Sequence, residues 1–177
     1  MSSEHLYICL FAEPDAPGGY FHWVLAMGNE DALGKLLSSP LSARRPIAAS
    51  MQVDIFQIRL KQGEWECEHH DSVSLKNTGH IFRGTVPLGP LLRTKGETKA
   101  FINGESPSQG DTPLLWIHLA QGRGWSCAQW LLRVLEGLIG QGFVADKTAG
   151  VDTTKKDWKA AFYMAVNAKG TEFLKYS

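Results

Sequence analysis

The stretch that decides the fold is Gly124-Trp-Ser-Cys-Ala-Gln-Trp-Leu-Leu-Arg-Val-Leu-Glu-Gly-Leu138. Its apolar residues recur at steps of three and four from Cys127 onward, which is the period of one face of an α-helix. Ser126 is a suitable N-cap, and Gln129 stands where the partner of a capping box would lie. Glycines close the other end of the stretch. These features predict an amphipathic helix of about four turns that begins at a cysteine.

Apolar, β-favouring runs elsewhere in the chain predict a sheet for this helix to pack on. The runs are residues 6–12, 20–27, 51–61, 64–75 and 114–119. The first predicts a short buried strand, and the second is apolar on both faces, as expected of a central strand. The third and fourth are joined at Gln62-Gly63 and predict a hairpin. Residues 86–92 suggest a single helical turn.

The remaining segments complete a mixed architecture. Residues 103–113 are polar and rich in glycine, proline and serine, so an exposed loop is expected there. A second helix is predicted over residues 153–167, with Trp158, Ala161, Phe162 and Ala165 as its buried stripe. The predicted fold class is α+β, with an antiparallel sheet packed against the main amphipathic helix. We expect one domain over residues 1–177.

Composition excludes several function classes. Eighteen basic and eighteen acidic side chains cancel, so charge gives no argument for binding nucleic acid or an anionic membrane. No apolar run approaches the ~20 residues that span a bilayer, and the N-terminal residues lack a signal-peptide pattern. Three widely spaced cysteines suit free thiols in a reducing compartment. A cytoplasmic location is therefore expected.

Cys127 carries the strongest chemical signal. Amide N–H groups and the positive end of the helix dipole converge at a helix N-terminus, so a thiolate there is stabilised. The same amides can stabilise an oxyanion on a carbonyl that the sulfur attacks. A nucleophilic cysteine also needs a base, normally a histidine that a third polar group orients.

Two histidines are candidates for that base. His22 lies in the middle of an apolar strand, where histidine is uncommon. His118 is the alternative, on a predicted strand that ends shortly before Cys127. A buried cysteine that only begins the apolar stripe of its helix, and a histidine hydrogen-bonded in the core, would explain the same pattern.

The order of elements resembles that of circularly permuted papain-like proteins. His22-Trp23 lies on an early strand, strands follow, and Gly124-Trp-Ser-Cys-Ala-Gln-Trp130 begins a helix. This order is similar to the NlpC-related, lecithin:retinol acyltransferase-like and PPPDE families, in which histidine precedes cysteine. With Ser50-Met-Gln-Val-Asp54 added, the chain resembles more closely a group of small uncharacterised fungal proteins. The resemblance covers roughly residues 5–145.

The resemblance implies a permuted papain-like fold with Cys127 as nucleophile and His22 as general base. The third residue of such sites is polar and lies on the strand after the histidine, so it implies Gln52 or Asp54. The candidate substrate-binding residues are Trp23, Trp125, Trp130 and His118.

The expected function is a thiol-dependent hydrolase or acyltransferase that acts on an amide, ester or thioester of a small molecule or peptide. One alternative is a non-catalytic ligand- or partner-binding module on the same scaffold. Another is a fungal secondary-metabolism enzyme that positions its substrate without covalent catalysis. Cys67-Glu-His-His70 contains metal-ligand types, but no second cluster at suitable spacing completes a site. No metal, cofactor, nucleic acid or membrane partner is expected.

Overall fold

The computed structural model describes residues 4–12, 21–29, 50–75 and 81–174. The described chain is mixed α+β, with an antiparallel sheet and four helices. The strands are β1 (Glu4–Ala12), β2 (Phe21–Asn29), β3 (Gln52–Phe56), β4 (Ile58–Lys61), β5 (Glu64–Cys67), β6 (His70–Ser74), β7 (Ile81–Pro90), β8 (Lys147–Thr148) and β9 (Val151–Asp152). The helices are α1 (Lys95–Asn103), α2 (Trp116–Ala120), α3 (Cys127–Gly140) and α4 (Trp158–Leu174).

The main sheet has the strand order β6-β3-β2-β1-β7, and every neighbouring pair is antiparallel. The central strands β1 and β2 are buried along almost their whole length, because each is covered on both faces. This confirms the strands predicted from apolar runs in which apolar and polar residues do not alternate.

Two apolar clusters lie on opposite faces of the sheet. The larger contains Trp23 and Leu25 of β2 together with the apolar stripe of α3 and residues of α4. The helix α3 contacts β2, and α4 contacts β7. The smaller cluster contains Tyr7 and Cys9 of β1 with residues of β2 and β3. The predicted packing of the main amphipathic helix on an antiparallel sheet is therefore confirmed.

The predicted hairpin is confirmed at its turn, but its strands are interrupted. Gln62 and Gly63 both have positive φ, of 52° and 87°, as the tight turn between β4 and β5 requires. The first predicted strand breaks at Gln57, so β4 and β5 leave the main sheet and pair with each other. This break positions the candidate site.

Two local predictions are wrong. Residues 114–119 were expected to form a strand, but α2 lies there, since short apolar runs favour strand and buried helix alike. Residues 86–92 were expected to hold a helical turn, but β7 continues through Pro87. That strand is at the sheet edge, where a missing N–H is tolerated.

The helix predictions are confirmed with changes in detail. The helix α3 begins at Cys127, and the Ser126 hydroxyl accepts from the Gln129 N–H. The predicted capping box is wrong, because the Gln129 side chain binds α2 and the preceding loop instead. The helix α4 begins later than expected, and Ala161 is exposed.

Among the described residues no helix is long and apolar enough to cross a membrane.

Candidate active site

The site lies where β3 separates from β2. The strand β3 pairs with β2 at Leu25, Ala26 and Met27, and the chain then turns away at Gln57. Beyond that point the N–H of Trp23 is directed at Cys127, with 3.5 Å between the nitrogen and Sγ. The start of α3 therefore occupies the place along β2 that β3 has left.

The structure brings Cys127 and His22 together. The side chains hydrogen-bond each other, although 104 residues separate Cys127 from the neighbouring Trp23. His22 is 5% exposed, and Cys127 is half-buried. A buried base beside a partly accessible thiol is the arrangement that nucleophilic catalysis by cysteine requires.

Gln57 is the third residue of this group. Its Oε1 lies 2.7 Å from Nε2 of His22, and the side chain is 1% exposed. Its Nε2 donates to Glu68 Oε2 at 3.3 Å. Because the amide nitrogen is directed at a carboxylate, Oε1 must be the atom that accepts from His22. His22 then carries a proton on Nε2, which leaves Nδ1 for the thiol.

Further contacts hold Gln57 in place. Its backbone N–H donates to Nδ1 of His69 at 3.2 Å. The His69 ring contacts Phe56 and Trp130, at centroid distances of 5.4 and 5.9 Å. Glu68 in turn forms ion pairs with Arg59 and Lys61. The group that orients His22 is thus supported by α3 and by the β4–β5 hairpin.

The pKa of His22 is raised above its ordinary value. Burial lowers it, but the electrostatic interaction with Cys127 and the hydrogen bonds to Cys127 and Gln57 outweigh burial. The environment therefore favours the imidazolium form of His22, which is the partner that a Cys127 thiolate needs.

Neither Gln52 nor Asp54 makes the contact to the His22 ring that is described for Gln57. Gln52 is exposed and lies opposite Ser74 in the sheet. Asp54 is 5% exposed and accepts from the Ser72 N–H, and it pairs with Lys95 and Lys99. Burial raises the pKa of Asp54, but these three partners together lower it. Gln57, rather than either predicted residue, is therefore the side chain that lies against His22 in the structure.

Three of the four candidate substrate-binding side chains are buried. Trp23 is 1% exposed and stacks on Tyr163 at 5.5 Å. Trp130 is 1% exposed and donates to the Ser106 carbonyl. His118 is fully buried and lies in α2 rather than on a strand. Of the four, only Trp125 is partly exposed.

The exposed loop after α1 is held against the start of α3. Arg133 donates to the carbonyls of Ser108 and Gln109 and to the Thr112 hydroxyl. Trp125 donates to the Pro107 carbonyl at 2.9 Å. The loop is therefore fixed by hydrogen bonds to Trp125, which precedes α3, and to Arg133 within it.

Sequence reasoning missed Gln57. A polar residue within Ile55-Phe56-Gln57-Ile58 was the available signal, since an amide among apolar strand residues needs a buried partner. The break in the strand hid it, because an unbroken strand places Gln57 on the face opposite to Gln52 and Asp54.

In the described part of the chain, no group of three or more histidine, cysteine, aspartate or glutamate residues is arranged to hold a metal ion. Comparison with protein-family models, with curated proteins and with solved structures gave no match.

Proposed function

We propose that this protein is a thiol-dependent hydrolase or acyltransferase that acts on an amide, ester or thioester of a small molecule or peptide. The observation that carries the proposal is the hydrogen-bonded series from Cys127 through His22 to Gln57. A helix N-terminus, a histidine with a raised pKa and a buried amide that orients the ring meet at one thiol. Each is a feature that cysteine nucleophiles use.

Catalysis would proceed through a thioester. His22 takes the proton of the Cys127 thiol, and Sγ forms a bond to the substrate carbonyl carbon. The carbonyl oxygen becomes an oxyanion, which first-turn amides of α3 can stabilise. When the intermediate collapses, the bond to the leaving group breaks, and the His22 imidazolium supplies the proton that this group needs.

Acyl transfer would complete the cycle. Water or an amine attacks the thioester carbonyl while His22 removes a proton from it. The second tetrahedral intermediate expels Sγ, so that the acid or the new amide leaves and the thiolate–imidazolium pair is restored. Gln57 accepts from Nε2 throughout, which keeps Nδ1 directed at the reacting atoms.

The order of these residues supports a permuted papain-like fold as part of the proposal. His22, Gln57 and Cys127 follow one another in the chain, with the histidine on a sheet strand and the cysteine at a helix start. This is the order that the sequence resemblance implies, with Gln57 taking the place of the third residue.

The test compares the thiols of the native protein. Iodoacetamide alkylation is followed by peptide mass spectrometry from about pH 5 to about pH 9, a range that spans the ordinary pKa values of an imidazole and a thiol. We expect Cys127 to react faster than the exposed Cys67 and to keep its rate toward acidic pH. His22→Ala should lower the Cys127 rate by about 10²-fold, the lower end of a general-base contribution.

Cys67 is the internal control. The residue is exposed, and the partial burial of its thiol raises its pKa. A second control is p-nitrophenyl acetate, which should leave an acetyl group on Cys127 of the wild type. A Cys127 that reacts no faster than Cys67 in the native protein, with no acetyl group trapped, would contradict a thiol enzyme and favour a binding module.

A further inference from the structure

Gln129 lies on the first turn of α3 and is 3% exposed. Its Oε1 accepts from the Leu115 N–H at 2.9 Å. Its Nε2 donates to the Gly124 carbonyl at 2.9 Å and lies 2.6 Å from Nδ1 of His118. Because one end of the amide faces an N–H and the other a carbonyl, its orientation is fixed, and Nε2 is the donor to His118.

His118 is consequently held in one state. Its Nδ1 must accept from Gln129, so the ring is neutral with its proton on Nε2. Burial and the charge of Arg123 lower the pKa of His118. The groups packed on the ring are the Gln129 amide and the Tyr163 ring, at 4.7 Å.

The same two residues bind the chain segment that leads to the nucleophile. The His118 carbonyl accepts from the N–H groups of Gln121 and Arg123, at 3.2 and 2.8 Å. Gln129 binds the carbonyl of Gly124, which lies three residues before Cys127. Residues 121–126 are therefore attached at several points to α2 and to the first turn of α3.

We propose that Gln129 is a positioning residue for Cys127. Its amide hydrogen-bonds Leu115, before α2, and Gly124, before α3, and it also donates to the neutral ring of His118. These contacts hold the two segments together. The Cys127 sulfur is thereby kept at the Trp23 N–H and the His22 side chain. This inference rests on the proposed function, because it assigns Gln129 to the same nucleophile.

A purely stabilising role would be different. A buried amide that only satisfies backbone groups affects the free energy of unfolding and leaves the rate of a folded thiol unchanged. A positioning role changes that rate, since small displacements of a reacting atom have large effects. The two roles separate when reactivity is measured in folded protein.

The experiment measures iodoacetamide rates of Cys127 and Cys67 in the full chain across pH. For Gln129→Ala we expect a Cys127 rate about tenfold or more below wild type, with the Cys67 rate unchanged. The matched control is Gln109→Ala, whose amide binds the Thr112 carbonyl in the nearby loop. It should leave both rates close to wild type.

Gln129→Glu adds a pH-dependent readout. Gln129 Nε2 faces two acceptors, the Gly124 carbonyl and Nδ1 of His118, and an ionised carboxylate in its place opposes both with negative charge. Protonation of the carboxyl or of His118 at lower pH restores a hydrogen bond at this position, while the other carboxyl oxygen still accepts from the Leu115 N–H. The Cys127 rate of Gln129→Glu relative to wild type should rise as pH falls. The same ratio for Gln129→Ala should not change with pH.

A Gln129→Ala protein with a wild-type Cys127 rate and a lowered unfolding temperature would overturn the proposal. If Gln129→Ala does not fold, Gln129→Glu decides: a rate ratio independent of pH overturns it. If the wild-type Cys127 rate depends on His22 but the Gln129 variants keep the wild-type rate, this inference alone is wrong. A wild-type rate that does not depend on His22 removes the proposed function and this inference together.

Discussion

Two buried histidine–glutamine pairs flank the start of α3, and they differ in which end of the amide faces the ring. Gln57 presents its oxygen to His22, whereas Gln129 presents its nitrogen to His118. The pKa of His22 is raised, with Cys127 and Gln57 outweighing burial, and the pKa of His118 is lowered, chiefly by burial.

The difference shows how a neutral side chain can help to select the protonation state of a histidine. An amide oxygen accepts a hydrogen bond and suits an imidazolium, while an amide nitrogen donates and requires a free ring lone pair. The orientation of each amide is set by its outer partner, the Glu68 carboxylate for Gln57 and the Leu115 N–H for Gln129. One pair therefore suits proton transfer, and the other suits a fixed structure.

The largest expected effect is an opposite pH dependence of stability. A histidine with a raised pKa contributes stability that is present below its unfolded pKa, near 6.5, and is lost as pH rises through the folded pKa. For His118 the pKa is lowered, so its unfavourable contribution grows as pH falls below about 6.5. Urea unfolding at several pH values should show stability differences on the order of 1–2 kcal/mol for His22→Gln and His118→Gln against wild type.

The two differences should change with pH in opposite directions. The stability advantage of wild type over His22→Gln should shrink above neutral pH. Because Cys127 and His22 titrate as a coupled pair, this variant reports on both groups together. The stability advantage of wild type over His118→Gln should shrink below neutral pH. Parallel changes would contradict the assigned protonation states.

Gln57→Leu removes the acceptor from His22 while keeping the approximate size of the side chain. We expect the pKa of His22, followed by NMR of the ring, to fall. The Cys127 alkylation rate near neutral pH should fall about fivefold, the equivalent of one net hydrogen bond of about 1 kcal/mol.

Gln52→Leu is the matched control, because Gln52 lies on the same segment and is exposed. Its rates should equal those of wild type. An unchanged His22 pKa in Gln57→Leu would show that Gln57 does not affect the protonation of His22.

The smallest effect is expected at the cap of α3. Ser126→Ala removes the hydroxyl that accepts from the Gln129 N–H at 3.4 Å, with an expected loss of about 1 kcal/mol in the free energy of unfolding. Ser126→Asp should retain most of it. Thr94→Ala, which removes the capping box of α1, should cost a similar amount without changing the Cys127 rate.

Much of the fold follows from local patterns in the sequence. The steps of three and four after Cys127 predicted α3, and unbroken apolar runs predicted the central strands. The segment with α2 was misread, because residues 114–119 are apolar except for His118 and are too few to show a helical period. Its helix is stabilised by contacts with Gln129 and Tyr163, which the local sequence does not contain.

The site was predictable in part. Cys127 could be named from its position at a helix start. Position alone left His22 and His118 as alternatives, and the family resemblance favoured His22. The partner of His22 could not be named, because the identity of Gln57 depends on where β3 leaves β2. The sequence also predicts a short helix capped by Asn29 and a loop over residues 13–19, and both segments lie outside the described residues.

The contact between Trp23 and Cys127 also has a kinetic consequence. It joins groups 104 residues apart, and pairings of such sequence separation are slow to form in folding. Before α3 docks on β2, the thiol has neither the Trp23 amide nor His22 beside it and should react like that of an ordinary cysteine. Brief pulses of a thiol reagent during refolding would therefore detect when the alkylation rate of Cys127 changes. That change would report the time at which α3 docks on the sheet.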